Sequence, residues 1–328
     1  MDFAKKMLPS SRRNVFVEEG YHVWCGSVLR GADGLYYLYY SRWAKTLGHD
    51  AWVTSSEVAY AVSTNPLGGF AHKGLALGGA GGDAWDAHCI HNPTVLAIDG
   101  KYYMYYMGNF GDASYWSHRN HQRIGVAVAD DPNGPWQRFA QPVLDVGAAP
   151  ECFDALVTSN PSVTRGGDGQ FYMIYKAVGS GKMPKGGAVV CGVAVAQSPL
   201  GPFVKHLAPL FQNPKHPWSV EDAFVWYQAG MFYVLAKDFQ GYFTGHEKGS
   251  VALFTSPDCI EWSLSTEPFA FGRSITWDDG RQEAVEARER PQLLIENGIP
   301  TALYCAVAED PARTSSYNLA TKLVVCKR

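Results

Sequence analysis

The residues best suited to chemistry come in adjacent pairs and one tight cluster: Glu221-Asp222, Glu289-Arg290, and His88-Cys89-Ile90-His91 just after Trp85-Asp86. Two carboxyl groups facing one bond can divide the work of breaking it. One protonates the leaving oxygen, and the other activates water or attacks directly. A carboxyl group beside an arginine keeps its proton near neutrality only if desolvation or neighbouring negative charge outweighs that arginine. The histidines offer hydrogen bonds or metal ligation. On an extended strand Cys89 and His91 share a face while His88 points away, so zinc would need further ligands such as Cys25 or His22. No metal site is expected from this pattern.

An internal repeat must position these groups. VLRGADGLYYLYYSRW from Val28, VLAIDGKYYMYYMGN from Val95, VTRGGDGQFYMIYKAV from Val163, VWYQAGMFYVLAKDF from Val225 and LLIENGIPTALYCAV from Leu293 share one layout. Each has a short apolar run, a glycine turn, and an alternating aromatic and aliphatic run. Asp-Gly and Asn-Gly pairs, as at Asp99-Gly100 and Asn297-Gly298, supply the positive φ of tight hairpins. YAVSTNPLGGF from Tyr60, VAVADDPNGPW from Val126, VAVAQSPLGPF from Val193 and a weaker LFTSPDCIEW from Leu253 add a third strand, a turn, and a fourth strand starting at the aromatic residue. Four strands at a period of roughly 65 residues predict an all-β, five-bladed β-propeller. Its four-stranded blades surround a central pocket, and residues 1–328 form one domain. The fifth repeat ends short, at TKLVVCKR, and the N-terminal NVFVEE is expected to complete it. A β-sandwich does not explain one hairpin pattern recurring five times with the same turn position.

The first strand of each propeller blade lines the central channel. The residue three before each anchoring Val or Leu is Cys25, Asn92, Asn160, Asp222 or Arg290, preceded by Trp24, His91, Ser159, Glu221 or Glu289. Few of these are natural choices for a packed strand, and buried charge is costly unless paired or functional. A second set lies six residues upstream: Asp86 in blade two, Asp154 in blade three and Glu19 in blade one. These acids either converge over the pocket or cap loops by accepting backbone N–H groups, as Asp often does. Lys176 and Lys237 share a place at the end of the second strand, where they read a substrate carboxylate or sulfate or simply face solvent. The loops around 108–122, 178–187 and 239–249 are long and polar enough to shape a site.

Composition excludes several classes. With a net charge of −3 and no dense Lys/Arg run, nucleic acid is not the expected partner. No stretch has transmembrane length, so no membrane partner is expected. The N-terminal MDFAKKMLPSSRRN lacks the apolar core of a secretory signal, and seven scattered cysteines without a CxxC pair fit reduced thiols, so a cytoplasmic location is expected. No oligomeric state follows from the sequence.

At His91-Asn92-Pro93, Ser159-Asn160-Pro161, Glu221-Asp222-Ala223 and Glu289-Arg290-Pro291 the chain resembles the five-bladed propeller glycoside hydrolases of families 43 and 117, whose inner strands start with DP or EGP. The resemblance covers the whole chain as architecture. It departs where Trp24-Cys25-Gly26 replaces the usual base of family 43, and where Asn92 and Asn160 replace acids, so the family's base, modulator and acid do not carry over intact. The resemblance implies an inverting hydrolase of an oligosaccharide. It also implies that a His could act as acid, and it allows a structural cation on the axis, with no other cofactor.

On this reading Glu289 is the expected general acid. Asp222 is one expected base and Asp86 its rival. Trp24, His88, His91, Asn92, Asn160 and Arg290 are expected to contact sugar, with Glu221 and Asp154 holding hydroxyls or tuning the acid. Glu289-Arg290 as a plain ion pair between blades is the competing account. A carbohydrate-binding propeller without turnover is the alternative function. A glycoside phosphorylase ranks lower, because only Arg290 is well placed for phosphate, and a protein-interaction propeller would leave its channel chemically dull.

Overall fold

The computed structural model describes residues 1–112 and 114–325. Five four-stranded antiparallel sheets form the blades of a β-propeller. Their inner strands are Tyr21–Arg30, Cys89–Ile98, Val157–Arg165, Val220–Gln228 and Ala287–Glu296. In blades one to four the remaining strands follow outward in chain order. The outermost strand starts one residue later than the repeat predicts, straight after the aromatic Phe70, Trp136, Phe203 and Trp262.

The hairpin turns follow their residues. In blades two, four and five the turn has two residues, and both have positive φ: Asp99-Gly100, Ala229-Gly230 and Asn297-Gly298. Blades one and three use longer turns, in which only Gly34 and Gly169 are left-handed.

The fifth blade closes the ring. Val15–Phe16 pairs antiparallel with Ser316–Lys322, Val15 opposite Leu319 and Phe16 opposite Asn318. The N-terminus thus supplies the outermost strand of the blade that the C-terminus builds. The main hydrophobic clusters sit between successive blades. One joins Leu29, Tyr37 and Tyr39 to Val95 and Met104, another joins Phe171 and Met173 to Tyr103 and Tyr105, and a third joins Leu38 and Tyr40 to Leu294 and Tyr304 across the closure. Apolar burial, the dominant favourable term in folding, therefore locks each blade to its neighbours and fixes their inner strands around one axis.

Six cysteines among the described residues are free thiols, five of them buried; Cys326 lies outside the described residues. No helix among the described residues is long and apolar enough to cross a membrane.

Candidate active site

Every inner strand breaks its pairing at the same place. Register shifts fall between Trp24 and Ser27, His91 and Thr94, Ser159 and Ser162, Glu221 and Phe224, and Glu289 and Gln292. The residue at the break is Cys25, Asn92, Asn160, Asp222 or Arg290, and each has φ between +51° and +59°. Left-handed backbone at a non-glycine residue costs on the order of 1–3 kcal/mol and persists only where the surroundings impose it. The bulge has a chemical consequence. Neighbours on a regular strand face opposite ways, but a bulge re-aims one of them. So Glu221 and Asp222, Glu289 and Arg290, and His91 and Asn92 all line the same axial cavity of about 240 Å³.

The five bulge residues meet on the axis, and Asn92, Asn160, Asp222 and Arg290 line the pocket there, with Cys25 buried beside them. The Cys25 thiol donates to Asn92 Oδ1 at 2.5 Å, Asn92 Nδ2 to Asn160 Oδ1 at 2.5 Å, and Asn160 Nδ2 to Asp222 Oδ1 at 2.7 Å. Arg290 Nη1 donates to the same Asp222 oxygen at 3.3 Å, and its guanidinium lies beside the Cys25 sulfur. Its Nε and Nη2 have no hydrogen-bond partner among the described residues. One side chain from each blade thus contributes to a chain of hydrogen bonds that runs from Cys25 to Arg290.

Above this chain of hydrogen bonds stand the charges. Lys176 and Lys237 donate to Glu221 at 2.7 and 3.2 Å, and Lys237 and Arg313 pair with Glu289 at 2.9 and 3.2 Å. Oxygens of Glu221, Asp222 and Glu289 come within 4.8 Å of one another. The walls are aromatic: Trp24, Trp43, Trp52, Trp218 and Phe239. His91 is wedged against Trp43 and Trp52 and shares a 2.7 Å hydrogen bond with the Ser56 hydroxyl.

Electrostatics separates the three acids. Burial would raise Glu221, but Lys176 and Lys237 outweigh it and hold this carboxylate down to about 2. Burial likewise opposes ionisation of Glu289, and Lys237 and Arg313 overcome it, leaving it below the ordinary range. Asp222 goes the other way. Burial, then the Glu221 charge, push it up to about 6 against the pull of Arg290. Groups whose environments drive their pKa values apart are suited to opposite acid–base roles. The sequence expectation made Glu289 the acid and Asp222 a base; the shifts, Asp222 raised and Glu289 lowered, favour the opposite assignment. Burial, with repulsion from Arg313, pushes His49 down to about 4, and burial, with repulsion from Arg290, pushes His91 well below its usual value, so both imidazoles are neutral.

Of the residues singled out in the sequence, Trp24, His91, Asn92, Asn160, Glu221, Asp222, Glu289 and Arg290 line this pocket. Three do not. Asp86 is buried in blade two, accepting from Tyr106 Oη at 2.9 Å and Arg138 at 3.1 Å. Asp154 repeats this in blade three with Tyr175 Oη at 3.0 Å and Lys205 at 2.6 Å. In blade one the counterpart is Glu18, not Glu19. It accepts from Tyr40 Oη at 2.5 Å, with His72 at 3.7 Å and an ion pair to Arg42. Each acid ties a second-strand tyrosine to a basic side chain of the same blade, so this ring belongs to the scaffold. His88 is exposed, accepting from Gly111 N at 3.3 Å. The zinc grouping does not form: His22 stacks on Trp43 and bonds Ser316, and only Cys25 stands near His91, at 4.0 Å.

Sequence reasoning did not single out Trp43, His49, Trp52, Phe239 or Arg313 for the pocket. All lie at or beyond the ends of the strands repeated between blades, so no pattern marked them.

A cation on the axis does not fit these residues. The three clustered carboxylates already bind Lys176, Lys237, Arg290 and Arg313, and an arginine occupies the fifth axial position. A divalent ion would have to displace ammonium groups and face a guanidinium.

No family model matches the sequence, and neither does any curated protein. Solved structures do match in three dimensions. A family 117 glycoside hydrolase of the marine bacterium Zobellia galactanivorans is 19% identical, over 97% of this chain and 89% of that one, with a TM-score of 0.67. A thermostable family-43 glycoside hydrolase is 16% identical over 98% and 94%, with a TM-score of 0.63. The GH43_1 enzyme from Xanthomonas citri, complexed with xylotriose, is 14% identical over 99% and 92%, with a TM-score of 0.61. This protein shares with them the five-bladed propeller fold along nearly its whole length.

Proposed function

We propose that this chain is a glycoside hydrolase that removes a terminal sugar from an oligosaccharide in the axial pocket. The carrying observation is the meeting of Glu221, Asp222 and Glu289 within 4.8 Å, in a cavity walled by Trp24, Trp52 and Trp218. Aromatic faces offer stacking surfaces for sugar rings. Asp222 is the proton donor to the leaving oxygen, and Glu289 is the ionised partner. Glu221 keeps the proton on Asp222. The named activities of the structural neighbours support the same reading. The hydrogen-bonded chain of bulge residues closes the cavity below, and about 240 Å³ is less than the roughly 300 Å³ lower bound of drug-sized pockets, which suits one sugar unit and exo action.

Inversion requires about 6.5–9.5 Å between acid and base, with water between them. In the three acids, one oxygen of each lies within 4.8 Å of the others. Their spacing supports direct attack by Glu289 and retention of configuration, against the inverting outcome expected from the resemblance.

The test is release of sugar from aryl glycosides and oligosaccharides, with and without inorganic phosphate, by wild type, Asp222→Asn and Glu289→Gln. Phosphate-independent turnover lost in both folded variants is the expected result. Turnover that needs phosphate would shift the reading to phosphorolysis, for which the structure supplies Lys176, Lys237 and Arg313 beside Arg290. Sugar binding without turnover would favour the carbohydrate-binding reading, to which Asn92 and Asn160 on the axis lend support.

A further inference from the structure

The ion pairs of the pocket form a ladder: Lys176, Glu221, Lys237, Glu289, Arg313, with successive contacts of 2.7, 3.2, 2.9 and 3.2 Å. Charge alternates along it, and it begins and ends on a cation. Each inner member is held from both sides, whereas Lys176 and Arg313 have one carboxylate each. Beneath the ladder, Arg290 faces Asp222 alone. Four cationic side chains therefore line the pocket against three acids, one of which, Asp222, is assigned as the proton carrier. Unbalanced charge in a desolvated cavity is costly and calls for a counter-charge.

Arg313 is the open end. Its side chain is 29% exposed, against 14% for Lys176 and 12% for Lys237. Its loop is built to hold it there. Arg313 N donates to the Asp310 carbonyl at 2.9 Å, and the Thr314 hydroxyl donates to the Asp310 carboxylate at 2.6 Å. Arg313 itself has φ +50°, strained for a residue with a side chain. The guanidinium stands 5.7 Å from the Trp24 ring centroid, and Nη2 takes Glu289. Nε and Nη1 make no hydrogen bond among the described residues. A planar guanidinium with free donors beside an aromatic platform matches an acidic sugar: the ring on tryptophan, the anion on the fork.

Building on the reading of this pocket as a sugar site, we propose that its substrate carries an anionic substituent, a carboxylate or a sulfate ester, received by Arg313.

The test uses matched 4-nitrophenyl glycosides in both anomeric forms: glucoside with glucuronide, galactoside with galacturonide, and galactoside with galactoside 6-sulfate. Wild type, Arg313→Gln and Arg313→Lys are compared. The charged member of at least one pair is expected to show kcat/KM about tenfold to 100-fold above its neutral partner, the range of one charge-assisted hydrogen bond. Arg313→Gln should erase that preference mainly through KM, and Arg313→Lys should recover part of it. The responding pair tells carboxylate from sulfate. Neutral members cleaved as well as charged ones in every pair, or a preference surviving in Arg313→Gln, would overturn the proposal. Calorimetric binding of glucuronate, galacturonate, galactose 6-sulfate, glucose and galactose separates the two readings. An acidic sugar bound in preference to its neutral counterpart, with no glycoside cleaved, would uphold the anion site and sink the hydrolase. Neither binding nor cleavage would sink both.

Discussion

Lys237 donates to Glu289 across 2.9 Å, joining the second strand of blade four to the inner strand of blade five, and its other contact, to Glu221, makes it the middle rung of the ladder. Removing it leaves two buried carboxylates with one partner each. Lys237→Met is expected to cost about 3–5 kcal/mol of stability at pH 7, measured by urea unfolding. Both glutamates titrate below the ordinary range in the folded protein. Their contribution is full above the unfolded value and fades as pH falls through the folded one, so the deficit of the variant should shrink below about pH 4.5. A deficit equal at pH 7 and pH 3 would contradict the assigned pairing.

Asp222 carries the opposite sign. Burial first, then the negative charges of Glu221 and Glu289, lift it from 3.8 to about 6 against the pull of Arg290 and Lys237. Between those values the folded chain keeps a proton that the unfolded chain has released, so stability declines as pH rises through this window. Asp222→Asn should lack that decline. As proton donor, Asp222 should also give kcat/KM a falling limb above about pH 6. The Asn variant should lose about 10²- to 10⁴-fold in rate, the usual worth of such a group. Full activity in Asp222→Asn would remove it from the chemistry.

Asp86 and Asp154 make a contrasting pair of variants. Each supports a buried tyrosine hydroxyl and a basic partner away from the pocket. Asp86→Ala and Asp154→Ala are expected to lose about 1.5–3 kcal/mol, the range for hydrogen bonds to charged groups, with kcat unchanged per folded molecule. A large fall in kcat with unchanged thermal stability would return these acids to the reaction.

Chelation offers a fourth check. Because Lys176, Lys237, Arg290 and Arg313 already occupy the carboxylates of the pocket, prolonged EDTA treatment is expected to leave both turnover and melting temperature unchanged. A loss of either, restored by calcium or zinc, would show a metal site that this charge arrangement disfavours.

Much of the architecture could be read directly from the chain. The recurring hairpin located all five inner strands, because a blade must alternate apolar residues to pack on both neighbours and needs the same turn each time. Departures from that repeat marked Cys25, Asn92, Asn160, Asp222 and Arg290, since nothing in blade packing asks for an amide, a thiol or a charge there. The same offset reasoning misplaced Asp86 and Asp154. A repeated acid marks a repeated contact, and sequence spacing does not say whether that contact is with a tyrosine inside the blade or with a ligand on the axis.

The sequence by itself determined the number of blades, the closing strand from NVFVEE and the ring of odd residues, because these follow from local periodicity and turn chemistry. The tertiary structure alone decided which of those residues work together. Strand alternation would send Glu221 and Asp222 to opposite faces, and only the bulge at each inner strand brings both into one cavity. The protonation order follows from that placement. Whether a carboxyl group holds its proton depends on burial and on charges contributed from other blades. Lys176 comes from blade three and Arg313 from a loop of blade five, separated from Glu221 and Glu289 by stretches of chain that no spacing rule can bridge.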